Sequence, residues 1–140
     1  HRVDRRQRQM CIRDSACNAY SNKCEIIGVE PLNVNDAYRS LKSKKIEYNL
    51  KTDTIADGLR TNLGDINFPI ILDYIKSIIC VNEDEIINAM KLIFDKLNIL
   101  IEPSSAVAFA GLLKEKEKFK GKKVGVILSG GNVDSNKLPF

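Results

Sequence analysis

The sequence predicts an α/β fold, with an open, mainly parallel sheet covered by helices on both faces. Two observations predict it. Short apolar runs rich in β-branched residues, such as CEIIGV (24–29) and VGVIL (124–128), have the length of buried strands. Between them lie longer segments whose apolar residues recur at helical spacing. Strands that are apolar throughout and separated by helices are those of parallel sheets buried on both sides.

The elements follow in order. Cys24 to Val29 reads as a buried strand ending at Glu30-Pro31. Asn35 to Ser43 suits a helix capped by Asn33 or Asn35. Residues 44–51 are polar with scattered apolar side chains, a weak strand or loop. TIADG (54–58) is a loop stopped by glycine. Phe68 to Ser77 carries Pro69 where a helix start tolerates it. Ile78 to Val81 is a second buried strand.

Asn82 to Asn98 is the clearest element. Asn82 caps, and Glu83, Asp84 and Glu85 fill the first turn, where the helix dipole favours negative charge. Ile86, Met90, Ile93, Phe94 and Leu97 then share a face. After the brief apolar Ile99 to Ile101, Pro103 opens a helix over Ser104 to Lys114. Its small residues predict close packing against a sheet. Residues 114–123 alternate in charge and read as a solvated connection. VGVIL is the last predicted strand, and Ser129-Gly130-Gly131-Asn132 follows it.

Composition sets outer limits. The chain has 140 residues, 44% of them hydrophobic and 29% charged, as in a globular protein with one real core. No run of about 18 uncharged apolar residues exists, so no membrane span is expected. The net charge of +4 is localised. Residues 1–24 hold six basic and two acidic residues, whereas residues 25–140 hold 16 of each. A nucleic-acid partner would want a basic stripe on the folded body, so none is expected. Within the first segment, RQMCIRDS (8–15) looks like translated adapter or vector sequence. Residues 1–16 are therefore read as non-native, residues 1–24 as uncertain and residues 25–140 as the body. Cys11, Cys17 and Cys24 sit in or beside that segment, and their spacing suits no zinc site. Cys80 in the body reads as a buried reduced thiol, which fits the cytoplasm.

Ligands of open α/β sheets bind beyond the carboxyl ends of strands. Glu30 after IIGV, Glu102 after ILI and Ser129 after VGVIL hold such positions. Each is a weak signal alone, and SGGN is neither a P-loop nor a dinucleotide turn. Glu30 and Asp36, with carbonyls between them, suit a hard cation. On spacing alone the blander account stands beside it, in which Asp36 caps a helix and Glu30 is solvated.

Four segments in one order carry more. GVEPLNVNDAYRS, TIADGLRTNLGDINFPII, IEPSSAVAFAGLL and KKVGVILSGGNVD together resemble the C-terminal part of the serine racemases and serine/threonine dehydratases. These are tryptophan-synthase-β-like, fold-type II pyridoxal-phosphate enzymes. The likeness runs from about Glu25 to Asp134. It implies part of a three-layer large domain, incomplete in this chain, with pyridoxal 5'-phosphate as cofactor. By the resemblance, Ser129 would hydrogen-bond the cofactor's pyridine nitrogen. Gly58 would let backbone approach the ring, Glu102 would lie near it, and Asn132 would shape the same loop. Asp57 would lie near the substrate side chain. Glu30, the Val34 carbonyl and Asp36 would hold Mg2+ or Ca2+. The substrate would be a small serine- or threonine-like amino acid, and the full-length parent a homodimer.

The resemblance also marks what is missing. In this family the Schiff-base lysine lies in a Ser/Thr-Phe-Lys-x-Arg block N-terminal to this region. The glycine-rich phosphate loop and the racemases' second proton-carrying serine also precede it. Lys42, Lys44 and Lys45 read as surface charges. The expectation is a fragment of a racemase or ammonia-lyase, inactive alone and with exposed apolar edges. The alternatives are a non-catalytic small-ligand or regulatory module on the same fold, or binding through the basic arm.

Overall fold

A computed structural model describes residues 15–17, 19–21 and 23–140. His1, Cys11 and the arginines at 2, 5, 6, 8 and 13, on which the readings of a basic arm and of foreign sequence rest, lie outside the described residues.

The framework is a parallel pair of strands, β1 (Ile26–Pro31) and β2 (Ile75–Val81). Val29 pairs with Ile79 and Glu30 with Cys80, after an irregularity between Ile26 and Ile27. That shift puts Ile75 on the same face as Ile78, and the two faces carry separate cores. On one face, Ile26, Ile75 and Ile78 pack with Ala37, Leu41, Leu63 and Ile71. These come mainly from α1 (Asp36–Ser43) and α2 (Phe68–Tyr74). On the other, Ile27, Val29, Ile79 and Val81 pack with Ile86, Met90, Ile93, Val107 and Ala110. Those belong to α3 (Glu83–Leu97) and α4 (Pro103–Lys114). Helices thus cover both faces, as predicted.

The helix ends follow the sequence signals. Asn82 accepts from the Glu85 amide at 2.8 Å, and the Glu85 carboxylate accepts from the Asn82 amide at 2.7 Å. This reciprocal box satisfies two amides that an uncapped helix leaves unpaired. Asn98 ends α3 in the left-handed conformation, which asparagine tolerates. The small residues of α4 do bring it close to the sheet: Ala106, Ala110 and Gly111 are buried, with Gly111 against Val29.

Several boundaries move. β1 runs on through Glu30 and Pro31, so Glu30 belongs to the strand. α2 ends at Tyr74 and β2 begins at Ile75, three residues before the expected start. A 3-10 turn at Asp57–Leu59 closes the TIADG loop, and another spans Lys116–Phe119 in the solvated connection.

One element is a correction. Residues 124–128 are not a buried strand: Val124, Ile127 and Leu128 are 44%, 53% and 38% exposed, and no ladder includes them. The reason is physical. A parallel strand is defined by the neighbour it hydrogen-bonds, and among the described residues no strand lies beside this segment. Ile99 to Ile101 likewise joins no ladder. No described helix is long and apolar enough to cross a membrane.

Candidate functional site

Two polar constellations form at the ends of these elements. The larger gathers at the first turn of α4. Pro103 presets that turn, and two consecutive serines project from it. Ser104 Oγ accepts from the Gly58 amide at 3.0 Å and donates to Asp57 Oδ1 at 3.4 Å. Ser105 Oγ accepts from the Gly130 amide at 2.7 Å and lies 3.3 Å from Ser129 Oγ. Each serine therefore ties a different loop to the same helix end.

Glu102 completes the junction. Its amide donates to the Gly130 carbonyl at 3.1 Å. Its carboxylate sits so close to Gly130 that a Cβ there would come within 2.8 Å of Oε1. A side chain at position 130 would make the Glu102 carboxylate swing aside. Asp57, Gly58, Glu102 and Ser129, which are distant in sequence, are thus brought together. Asn132 stands apart: it is exposed, in a tight turn closed by the Val133 amide on the Gly131 carbonyl at 2.9 Å.

The TIADG loop is held from behind. Glu83 of α3 accepts from the Ile55 amide at 2.8 Å through Oε2. Arg60 donates through Nε and a terminal nitrogen to the Thr54 carbonyl, at 2.9 and 2.6 Å. Sequence reasoning missed Ser104, Ser105, Glu83 and Arg60. The first two stood inside a quoted motif, but serine in a first turn is ordinary, and only the loops' approach gives these hydroxyls partners.

The second constellation lies on the face packed by α1. Glu30 Oε2 accepts from the Tyr38 amide at 2.8 Å and Oε1 from the Ala37 amide at 3.4 Å. Asp36, only 3% exposed, accepts from Asn49 Nδ2 at 2.6 Å and from the Leu63 amide at 2.5 Å. The blander sequence account has the roles reversed. Glu30, not Asp36, serves the amides of the helix start, while Asp36 pins two loops. Asn35 occupies the cap position but gives its side chain to Arg39 at 2.9 Å.

Charge at this site is poorly compensated. Burial pushes the Glu30 carboxyl up to about 7, with the Asp36 charge adding to it and the Tyr38 amide opposing. Burial also raises Asp36, against the bonds from Leu63 and Asn49. Arg39 opposes both shifts, but its hydrogen bonds go to Asn35, Glu47, the Tyr48 carbonyl and Asn49.

Among the described residues no group of three or more His, Cys, Asp or Glu could hold a metal ion. A cation here would rest on two carboxylates and the Val34 carbonyl. These residues fit a hard, partly hydrated divalent cation. All the donors are oxygens, and each carboxylate oxygen keeps a free lone pair beyond its amide bond. The turn that holds Val34 is closed by its own amide on the Pro31 carbonyl at 3.1 Å.

The α4 constellation likewise fits an aromatic cofactor with a ring nitrogen. Ser129 offers an exposed, neutral hydroxyl, and the Gly58 loop is tied to the same helix end.

Comparison with known proteins agrees. Residues 15–130 match the family model described as pyridoxal-phosphate dependent enzyme. A serine racemase of Dictyostelium discoideum is 48% identical over 118 residues, covering 81% of this chain and 36% of that protein. The beta-hydroxyaspartate dehydratase of Paracoccus denitrificans is 45% identical, covering 82% of this chain and 36% of its own. The solved structure of maize serine racemase superposes with a TM-score of 0.86 at 34% identity, covering 91% of this chain and 40% of that one. The chain spans little more than a third of the length of these relatives. With its helices on both faces of a parallel sheet and its two loops joined at one helix end, the chain belongs to the pyridoxal-phosphate dependent enzyme family.

Proposed function

We propose that this chain is the cofactor-ring and cation-binding part of a pyridoxal-phosphate enzyme acting on small hydroxy-amino acids. The reaction is serine racemisation or dehydration, or ammonia release from threonine or threo-3-hydroxyaspartate. The observation that carries this reading is the joining of the Asp57–Gly58 and Ser129–Gly130 loops at the first turn of α4 through Ser104 and Ser105. The names of the relatives, a serine racemase and a beta-hydroxyaspartate dehydratase, supply the substrate class.

Pyridoxal phosphate, when bound, serves as an electron sink for the pair left by loss of a substrate's α-proton. The residues of this chain set how strong a sink. Ser129 is the partner of the ring nitrogen; being neutral, it leaves that nitrogen less protonated than an aspartate would. Glu102 stands beside the same loop, and Gly58 lets the backbone lie close to the ring. Asp57, exposed and oriented by Ser104, would lie near the substrate side chain. Asn132 shapes the loop beyond. Glu30, Asp36 and Val34 hold Mg2+ or Ca2+ away from the reacting atoms and brace α1 against β1.

The Schiff-base lysine belongs to another part of the full-length protein, and this chain alone is inactive. Residues 124–128 gain their ladder partner from that part. The parent is a cytoplasmic homodimer without nucleic-acid or membrane partners; the partly buried thiol of Cys80 supports the compartment. Residues 25–140 are the native body and residues 1–16 are foreign to it.

The test uses the intact protein, reconstituted with pyridoxal phosphate. L-serine, L-threonine and threo-3-hydroxyaspartate are supplied in D2O. Deuterium entry at the α-carbon with D-serine formation marks racemisation, and keto acid with ammonia marks elimination. A protein that binds the cofactor but exchanges no α-proton in any of the three would overturn the reading.

A further inference from the structure

We propose that Ser105 is a positioning residue for Ser129: its buried hydroxyl donates to Ser129 Oγ, so that Ser129 turns its own proton outward to the ligand. The proposal rests on the reading of Ser129 as the partner of the cofactor's ring nitrogen. It adds a residue to which neither the motifs nor the relatives assign a role.

A serine hydroxyl has one proton and two lone pairs. Ser105 is 1% exposed and has no recourse to water. One of its lone pairs takes the Gly130 amide at 2.7 Å. Its other hydrogen-bond partner among the described residues is Ser129 Oγ, 3.3 Å away. Distance alone leaves the direction of that bond open.

Burial decides it. Were Ser129 the donor, the Ser105 proton would be left without an acceptor inside the protein, at the cost of an unsatisfied buried donor. Ser129 is exposed and can place its proton elsewhere. The bond therefore runs from Ser105 to Ser129. Ser129 is then left with a proton that points away from α4, and a hydroxyl that offers a proton suits an unprotonated ring nitrogen. The Gly130 amide holds Ser105 Oγ in place while it does so. One buried side chain thus sets both the position of the loop and the polarity of the hydroxyl it presents.

The experiment uses the intact enzyme loaded with pyridoxal phosphate labelled with 15N at the ring. It compares wild type, S105A, S105T and S129A, and the S105A/S129A pair. Two readouts are taken besides turnover: the 15N chemical shift of the ring nitrogen and the affinity for the cofactor. In S105A the shift moves away from the wild-type value and cofactor binding weakens roughly five- to tenfold, the loss of about one hydrogen bond. S105T, which keeps the hydroxyl, restores both. In the S129A background, S105A moves the shift no further, because Ser105 acts through Ser129. If S105A fails to fold, shown by a lost melting transition of the cofactor-free protein, S105C carries the same expectation with a near-isosteric, weaker donor.

An S105A shift and affinity equal to wild type would overturn the proposal, and so would an equal shift change with and without Ser129. Those results leave the cofactor reading intact. A wild-type protein that binds no pyridoxal phosphate would overturn that reading itself.

Discussion

Gly111 of α4 lies directly on Val29 of β1: a Cβ at position 111 would stand 2.6 Å from Val29 Cγ2 and 2.7 Å from Cγ1. No real Cβ tolerates such contacts, and both belong to a branched side chain that cannot swing aside. The contact holds the helix that carries Ser104 and Ser105 against the strand that carries Glu30. G111A would gain about 1 kcal/mol from helix propensity if it were exposed. Here overpacking outweighs that gain, at about 1–3 kcal/mol. The expected outcome in the intact protein is a net loss of stability in urea melts, and V29A added to G111A should recover part of it. A G111A protein as stable as wild type would show that α4 can retreat freely.

Glu30 and Asp36 predict a cation effect with a defined sign. Burial raises Glu30 from 4.5 to about 7. Between those values the folded protein holds a proton that the unfolded chain has released. Stability without added cation therefore falls as pH rises through this window. A divalent cation that binds only the folded form reverses the loss. At pH 8, Mg2+ should raise the melting temperature of wild type and leave E30Q unchanged. Without Mg2+, E30Q should be at least as stable as wild type, since it keeps an acceptor for the Tyr38 amide. Equal Mg2+ responses in the two proteins would remove Glu30 from the cation site.

The reciprocal bonds between Asn82 and Glu85 make a simpler prediction. N82A removes the acceptor for the Glu85 amide and should cost about 1 kcal/mol. N82D keeps the acceptor and should cost much less. Glu85 also meets Lys114 Nζ at 3.0 Å, and that ammonium donates to the Cys80 carbonyl at 2.9 Å. This ion pair is partly exposed, so K114A should cost less than N82A. Thermal melts of the three variants give the order.

Cys80 and Cys24 should differ as thiols. Burial, with the nearby Glu30 charge, raises the Cys80 thiol above its usual range. The thiolate is the reactive form, so Cys80 should alkylate slowly at pH 8. Cys24 is exposed and should react first. Timed iodoacetamide labelling read by peptide mass spectrometry checks the order. Faster reaction at Cys80 would mean that its strand opens readily.

Sequence alone determined the α/β class, the bounds of the helix after Asn82 and the family. Periodicity, capping residues and motif order are local properties, written in residues close along the chain. It also supplied Asp57, Gly58, Glu102 and Ser129 as candidates, through the resemblance of four segments. Their meeting at one helix end was not legible, because Ser104 and Ser105 acquire meaning only when loops more than 20 residues away arrive beside them. Tertiary structure alone decided that Glu30 serves the amides of α1 while Asp36 is buried against Asn49 and Leu63. It also decided that VGVIL stays exposed. An apolar run can state that it suits a strand, but a ladder needs a neighbour, and pairing is a property of two segments rather than one.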